Sequence, residues 1–335
     1  MQIYKRLFLV ALFFLSSLPV MAWAANDDGS VKDPTKTAQE FMAKGIESAR
    51  SGQIDQARTA FENATRIAPE LAPMAWAGLG MALGGQGRWL EAVVEFKKVV
   101  ALQPADMRAH FNLANAYLSA GERDQAIGEY RNMIELDSKL DWAHFNLASL
   151  YLQKEETSSA IEEFEKAAEL NPALPASYEK LGVLYDQVGM TEKAIAAYEK
   201  AIELAPLNGT TQYNLGVVYL KNGDVFKGEA AYRKAIELMP NNAEAYNNIG
   251  TIYLSRQDPQ GAIPFFLKSV ELKPDLEQGL INLSVSYRDI KDFESALLYA
   301  QKAKDIGINR AQVLIESIQR KMAENQGVKD ASPAQ

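Results

Sequence analysis

The fold of this chain is decided by a stretch that occurs twice, as "HFNLANAYLSAGERDQAI" at residues 110–127 and as "HFNLASLYLQKEETSSAI" at residues 144–161. The two copies begin 34 residues apart and share His, Phe, Asn, Leu, Ala and Tyr at matching positions. Such a duplication can encode chemistry, namely a pair of metal-binding or catalytic histidines, or it can encode architecture. A regular period of this size is typical of proteins built from stacked repeats.

The same period extends through most of the chain. Prolines, small residues, tyrosines and a further set of aromatic residues recur in register. They are Pro69, Pro104, Pro172, Pro206, Pro240 and Pro274; Gly80, Ala114, Ala148, Gly182, Gly216, Gly250 and Ser284; Tyr117, Tyr151, Tyr185, Tyr219, Tyr253 and Tyr287; and Phe96, Tyr130, Phe164, Tyr198, Tyr232 and Phe266. Proline ends a helix because it lacks an N–H and disfavours helical geometry in the residue before it. Each period therefore predicts two amphipathic helices, for example at residues 141–153 and 158–170.

This pattern resembles the tetratricopeptide repeat (TPR) family. The family pattern is an aromatic residue, then Leu-Gly, Tyr, Ala, an aromatic residue, Ala and Pro, and "YNLGVVYLKNGDVFKGEAAYRKAIELMP" at residues 213–240 follows it closely. The resemblance implies an all-α fold, a right-handed superhelical solenoid of about eight helix-turn-helix repeats with a C-terminal capping helix. One helix pair cannot bury its apolar face alone, so the repeats have to stack.

The predicted domain boundaries follow from the register. The eight repeats are residues 38–72, 73–106, 107–140, 141–174, 175–208, 209–242, 243–276 and 277–310. Pro264 falls inside a predicted helix and should bend it. Leu314, Ile315, Ile318 and Met322 form one apolar face at helical spacing, which predicts the capping helix at residues 311–325. Residues 326–335 are predicted to be a disordered tail.

The N-terminal residues have the features of a secretory signal. Lys5 and Arg6 precede an apolar run, and "AWA" at residues 22–24 has the small-x-small pattern of signal-peptidase cleavage. The run at residues 7–21 is shorter than the ~18 residues of a spanning helix, although a retained anchor is the alternative. We therefore expect a signal peptide at 1–24, a linker at 25–37, and an exported protein that is periplasmic or secreted and has no membrane span after cleavage.

Composition and spacing argue against several kinds of site. The formal net charge of −8 is the opposite of a nucleic-acid-binding footprint, and the chain has no cysteine for disulfides, thiolate metal sites or nucleophiles. His110 and His144 occupy the aromatic packing position that Trp76 and Tyr178 hold in other repeats. Adjacent repeats lie about 10 Å apart, whereas a zinc ligand must come within about 2.1 Å of the ion. The sequence therefore predicts no metal, no cofactor, no catalytic residues and no enzyme activity.

One polar residue recurs where the resemblance implies binding. Asparagines occupy one position of five repeats, Asn112, Asn146, Asn214, Asn248 and Asn282, and Lys180 interrupts them. In the O-linked N-acetylglucosamine transferases, the matching asparagines line the inner surface of the superhelix and hydrogen-bond the backbone of an extended peptide. An amide can do this for any peptide group because it both donates and accepts. The alternative is that these asparagines bond the backbone of a neighbouring repeat and only stabilise the stack.

Aromatic residues accompany the asparagines in the third and fourth repeats. In the family, positions near the start of the first helix face the groove, and here they hold Arg108 and Phe111, then Trp142 and Phe145, with Asn115 and Ser149 beside them. Trp142 is expected to face outward, because His144 already fills the packing position; alternatively, these rings pack between repeats. The carboxylate clamp of heat-shock co-chaperones is not reproduced, since Phe111, Phe145, Glu179 and Tyr213 hold its positions.

The sequence thus predicts an exported, non-enzymatic scaffold for protein–protein interaction. Its concave groove would bind an extended segment of a protein partner, within an envelope assembly, secretion, polysaccharide or pilus system. Two alternatives stay open at this point. The repeats could present a substrate to a separate envelope enzyme, or the solenoid could self-associate into a structural assembly.

Overall fold

The computed structural model describes residues 33–330, so the predicted signal peptide lies outside the described residues. All regular structure in this range is helical. The α-helices are α1 (Pro34–Arg50), α2 (Ile54–Ile67), α3 (Ala72–Gly85), α4 (Trp89–Leu102), α5 (Met107–Ala120), α6 (Arg123–Leu136), α7 (Asp141–Gln153), α8 (Thr157–Leu170), α9 (Pro175–Gln187), α10 (Thr191–Leu204), α11 (Gly209–Lys221), α12 (Val225–Leu238), α13 (Ala243–Ser255), α14 (Pro259–Leu272), α15 (Glu277–Asp289), α16 (Phe293–Asp305) and α17 (Arg310–Asp330). A short 3₁₀-helix, Pro69–Leu71, lies between α2 and α3.

The chain divides into two compact units, Met1–Val99 and Val100–Gln335. In the described part of the first unit, α1 packs against α2, and both pack against α3. Phe61 of α2 is fully buried against Gly45 of α1. The carboxylate of Glu95 is also buried, and it accepts hydrogen bonds from Arg58 at 2.6 Å and from Lys98 at 2.7 Å. Two cations thus compensate the one deeply buried charge of this unit's described residues.

In the second unit, consecutive helices pack against each other from α5 to α17. The two helices of a repeat pack together, and the second helix of one repeat packs against the first helix of the next. First helices of successive repeats also touch, as α13 does α15. These neighbour contacts confirm the predicted all-α repeat architecture. The first helix of the pair predicted at residues 141–153 and 158–170 is confirmed as Asp141–Gln153. The second helix begins at Thr157, one residue before its predicted start.

The two helices of a repeat pair closely because the recurring small residues of the first helix contact the recurring aromatic residues of the second helix. A Cβ built on Gly182 would lie 2.6 Å from the Tyr198 ring, and one built on Gly216 would lie 2.8 Å from the Tyr232 ring. Real Cβ atoms do not come so close to other atoms. The glycine therefore lets an aromatic ring of the second helix rest on the backbone of the first.

Tyrosines of the recurring set join their repeat to the one before it, as in the fourth and fifth repeats. The hydroxyl of Tyr151 accepts a hydrogen bond from Arg131 at 2.6 Å, and the hydroxyl of Tyr185 donates to Glu165. A phenol can serve either partner because it both donates and accepts. Burial, together with the hydrogen bond to the Glu165 carboxylate, raises the pKa of Tyr185. These hydroxyls tie the first helix of a repeat to the second helix of its predecessor.

Differences from the predicted boundaries fall at the ends of the described residues and at one proline. Helix α1 begins at Pro34, inside the predicted linker, because the Asp33 side chain caps it by accepting from the Thr35 N–H at 3.0 Å. Helix α17 continues past residue 325 to Asp330, so the predicted tail is helical at its start. Helix α14 runs on through Pro264 as one helix, and the bend there stays a prediction.

The capping helix buries only part of its predicted apolar face. Ile315 and Ile318 are buried against Ala296 and Ala300 of α16, but Met322 is 37% exposed. Helix α16 has 13 residues and α17 has 21, so α16 is too short to cover the whole length of α17. None of the helices in residues 33–330 combines the length and apolar character that a membrane crossing requires.

Candidate functional site

The two histidines of the repeated stretch are buried in the packing positions that the sequence predicts. Nδ1 of His110 lies 2.6 Å from the Glu129 carboxylate, and Nε2 lies 2.9 Å from the Pro104 carbonyl oxygen. His144 repeats this arrangement with Glu163 and the Ser138 carbonyl. Each ring thus joins the loop before a first helix to the second helix of the same repeat. No group of three or more His, Cys, Asp or Glu side chains within residues 33–330 is placed to hold a metal ion.

Three aromatic residues of the predicted site lie on neighbouring first helices. The Phe111 and Trp142 rings meet edge-on with centroids 5.4 Å apart, which joins the third repeat to the fourth. Trp142 also approaches Tyr130 of the third repeat at 6.5 Å, and Phe145 packs on the fully buried Phe164 at 5.2 Å. Trp142 is therefore half-buried rather than outward-facing, because Phe111 reaches across the repeat boundary. The rings of Phe111 and Phe145 are half-buried as well.

The recurring asparagines differ in what they contact. Asn248 donates to the Tyr213 hydroxyl at 3.4 Å, and Asn282 donates to the side chains of Asn247 at 3.2 Å and Thr251 at 3.4 Å. These acceptors are side chains of the preceding repeat. The alternative in which the asparagines only stabilise the stack predicts hydrogen bonds to the backbone of a neighbouring repeat instead. Burial and the nearby charge of Asp186 raise the pKa of Tyr198. A hydrogen bond with Asn214 opposes this rise.

The asparagines of the third and fourth repeats are different. The Asn146 amide does not donate to the residue 35 positions upstream, whereas the amides of Asn248 and Asn282 do, and the side chains of Asn112 and Asn146 are half-buried. Tyr213 and Asn247 each lie 35 residues before the asparagine that they contact. The residue 35 positions before Asn146 is Phe111, whose ring has no hydrogen-bonding group. Asn115 lies one helical turn from Asn112. The amides of Asn112, Asn115 and Asn146 thus lack the side-chain hydrogen bonds that the amides of Asn248 and Asn282 make.

The remaining predicted residues lie beside these amides. Arg108 is 87% exposed at the start of α5, where it contacts Asp106 at 3.2 Å, and the Ser149 hydroxyl donates to the Phe145 carbonyl at 2.8 Å. Helical periodicity brings the members on α5 to one face, as it does those on α7. We call the following set the groove patch: Arg108, Phe111, Asn112, Asn115, Trp142, Phe145, Asn146 and Ser149. Asn214, Asn248 and Asn282 lie in later repeats and are not part of it.

The groove patch offers rings and neutral amides, which suit it to holding a chain by contact. Rings accept apolar side chains, and amides pair with peptide groups. One further residue beside it, Lys180 of the fifth repeat, was noted in the sequence only as the interruption of the asparagines. It is exposed, and no described residue forms an ion pair or hydrogen bond with it. The sequence signal that could have identified Lys180 is its place in the repeat, where it interrupts the recurring asparagines.

Comparisons with known proteins agree with this repeat structure. Models of the tetratricopeptide repeat match residues 42–96 and 78–141, residues 143–174 and residues 208–275, and a TPR repeat model matches residues 187–223. Together these matches extend over more than half of the chain. No curated protein matches it at a significant level.

Solved structures resemble the fold at low sequence identity. The C-terminal part of a TPR repeat-containing protein from Cytophaga hutchinsonii matches with a TM-score of 0.60 and 18% identity, over 70% of this chain and 98% of that one. The protein YrrB, described as a TPR protein with an unusual peptide-binding site, matches with a TM-score of 0.51 and 23% identity, over 55% of this chain and 95% of that one. At these identities the likeness concerns the fold alone.

Proposed function

Because the chain belongs to the tetratricopeptide repeat family, we propose that it is a protein-interaction scaffold that holds an extended segment of a protein partner on the groove patch. One observation carries this proposal. In the third and fourth repeats, amides that lack the side-chain hydrogen bonds of the later repeats lie on the same helices as an aromatic contact between the two repeats. The peptide-binding site in the description of YrrB supports the same kind of ligand. No residue of the groove patch is assigned a catalytic role.

Binding would combine backbone recognition with apolar contact. Asn112 and Asn146 would each pair with a peptide group of the segment, whatever its side chain. Phe111, Trp142 and Phe145 would receive apolar side chains between these amides, and truncating an aromatic anchor at a binding hot spot costs about 2 kcal/mol or more. Adjacent repeats are about 10 Å apart and an extended chain advances about 3.3 Å per residue, so each repeat would hold about three residues.

The asparagines provide a matched test of this proposal. The double change Asn112→Ala with Asn146→Ala should weaken binding of a peptide by about tenfold or more, because two peptide groups lose their partners on binding. It should leave the melting temperature nearly unchanged, because neither amide makes the side-chain hydrogen bonds that Asn248 and Asn282 make. The probe is a dodecapeptide selected by display on the wild-type protein, measured by fluorescence anisotropy alongside thermal unfolding by circular dichroism.

The control for this test is the same change at the same position of later repeats. Asn248→Ala with Asn282→Ala removes hydrogen bonds to Tyr213, Asn247 and Thr251. It should lower the melting temperature and leave the affinity per folded molecule unchanged. If the first pair lowers stability and the second pair lowers affinity, the groove patch is not the binding site. The rings are less suitable for this test because Phe145 packs against the buried Phe164.

Export to the bacterial envelope is part of the same proposal and rests on residues 1–24. The positive start, the apolar run and the "AWA" pattern support cleavage before Ala25. N-terminal sequencing of the protein from an envelope fraction should therefore start at or near Ala25. Recovery of chains that still begin with Met1 would contradict export by cleavage.

A further inference from the structure

Lys180 occupies, in the fifth repeat, the position that asparagine holds in its neighbours. Its side chain is exposed, and within residues 33–330 it has neither an ion pair nor a hydrogen bond. Lysines on the two helices next to it are paired: Lys166 with Glu163 at 3.1 Å, Lys193 with Glu165 at 3.6 Å and Lys200 with Glu203 at 2.9 Å. An ammonium group without a counter-ion is thus a local exception.

The repeat geometry places Lys180 against the groove patch. In later repeats, the side chain at this position reaches residues 35 and 31 positions upstream, as Asn282 does with Asn247 and Thr251. Asn248 reaches Tyr213 across the same interval of 35. The matching residues for Lys180 are Phe145 and Ser149, both members of the groove patch. The lysine stem therefore starts at the edge of the patch that faces the fifth repeat.

The acidic residues around this position are already occupied. Glu179, the adjacent residue, accepts a hydrogen bond from the Asn208 amide at 2.6 Å. Asp186, farther along α9, is paired with Lys221 at 2.7 Å. On α8, Glu163 is shared between Lys166 and His144. The carboxylate that would balance Lys180 is therefore not supplied by these neighbours, and a ligand can supply it.

We propose that Lys180 extends the groove patch and selects partner segments that carry an Asp or Glu side chain next to the part held by the aromatic rings. This inference rests on the proposed function. One repeat separates Lys180 from Asn146, which corresponds to about 10 Å or about three residues of extended chain. A partner segment would thus place a carboxylate about three residues from the peptide group that Asn146 holds. A rim charge of this kind adds specificity and salt dependence more than affinity.

The test compares two lysines that are both exposed and unpaired within the described residues. Lys180→Asn restores the residue that the other repeats carry, so the fold should be unaffected. Lys139→Asn, in the loop between α6 and α7, is the control. The probes are dodecapeptides selected by display on the full wild-type chain and then synthesised with amidated C-termini. Amidation leaves side chains as the only carboxylates, and each acidic peptide is paired with a copy in which one Asp or Glu is replaced by Asn or Gln.

The expected result is a loss of discrimination. The wild-type protein and Lys139→Asn should prefer one acidic peptide over its amide copy by about fivefold or more at low salt. Lys180→Asn should bind both copies equally, and Lys180→Glu should select basic residues at that peptide position in a fresh display selection. Unchanged preference in Lys180→Asn overturns this inference. If those peptides still depend on Asn112 and Asn146, the proposed function survives; if no peptide is enriched, or none depends on that pair, both fail.

Discussion

Leu147→Ala should lower the free energy of unfolding by about 2–5 kcal/mol, the range for buried leucines replaced by alanine. Leu147 is 2% exposed on α7, where it contributes to the interior of the fourth repeat. The loss combines the transfer energy of the missing atoms with a cavity that the surrounding helices fill only in part. Because repeats contact only their neighbours, the destabilised repeat also weakens the interfaces on both of its sides.

Urea denaturation followed by circular dichroism measures this effect, with Leu298→Ala as its control. Leu298 lies on α16 and is 52% exposed, so the same deletion there removes little buried surface. Its effect should stay within about 0.5 kcal/mol, as for most surface substitutions. Equal effects of the two changes would show that Leu147 does not lie in the interior and that the helix register is wrong.

Gly182→Val should lower the free energy of unfolding by about 1–3 kcal/mol or more, through overpacking. A Cβ at residue 182 would lie 2.6–2.8 Å from ring atoms of Tyr198, so the two helices of the fifth repeat would have to separate. Valine is chosen because alanine already occupies this position in the third and fourth repeats, as Ala114 and Ala148. The measurement is again urea denaturation.

The matched control is Gly128→Val on α6. A Cβ at residue 128 would meet nothing within 4 Å, and glycine and valine are both weak helix formers. Its effect should therefore stay within about 0.5 kcal/mol. A tolerated valine at position 182 would mean that the aromatic rings do not rest on the glycine backbones. The small and aromatic sets would then need another explanation.

The leucine and glycine substitutions test the register of the helices, from which every position assigned to the groove patch follows. The asparagine pair tests whether the patch binds, and Lys180 tests what it prefers. A correct register with a failed asparagine test would leave a repeat protein whose binding surface lies elsewhere.

The repeat architecture follows from the sequence alone. A 34-residue period sets where helices begin and end, and the small and aromatic positions that pack together belong to the same repeat, as Gly182 and Tyr198 do. Such contacts are local in the chain, so a regular pattern is enough to predict them. The burial of His110 and His144 also followed, because both occupy a position where other repeats hold large aromatic residues.

The contacts of the recurring asparagines and of Trp142 follow only from how the repeats pack against each other. Asn248 and Asn282 each meet a residue about one repeat upstream, so their contacts depend on a side chain outside their own repeat. Tyr213 and Asn247 accept hydrogen bonds from the asparagines that follow them, whereas Phe111 offers Asn146 none. Trp142 is half-buried for the same reason, since Phe111 reaches its ring across the repeat boundary. Identical residues at identical positions thus differ in their contacts because packing between repeats, unlike the period itself, varies with each pair of neighbours.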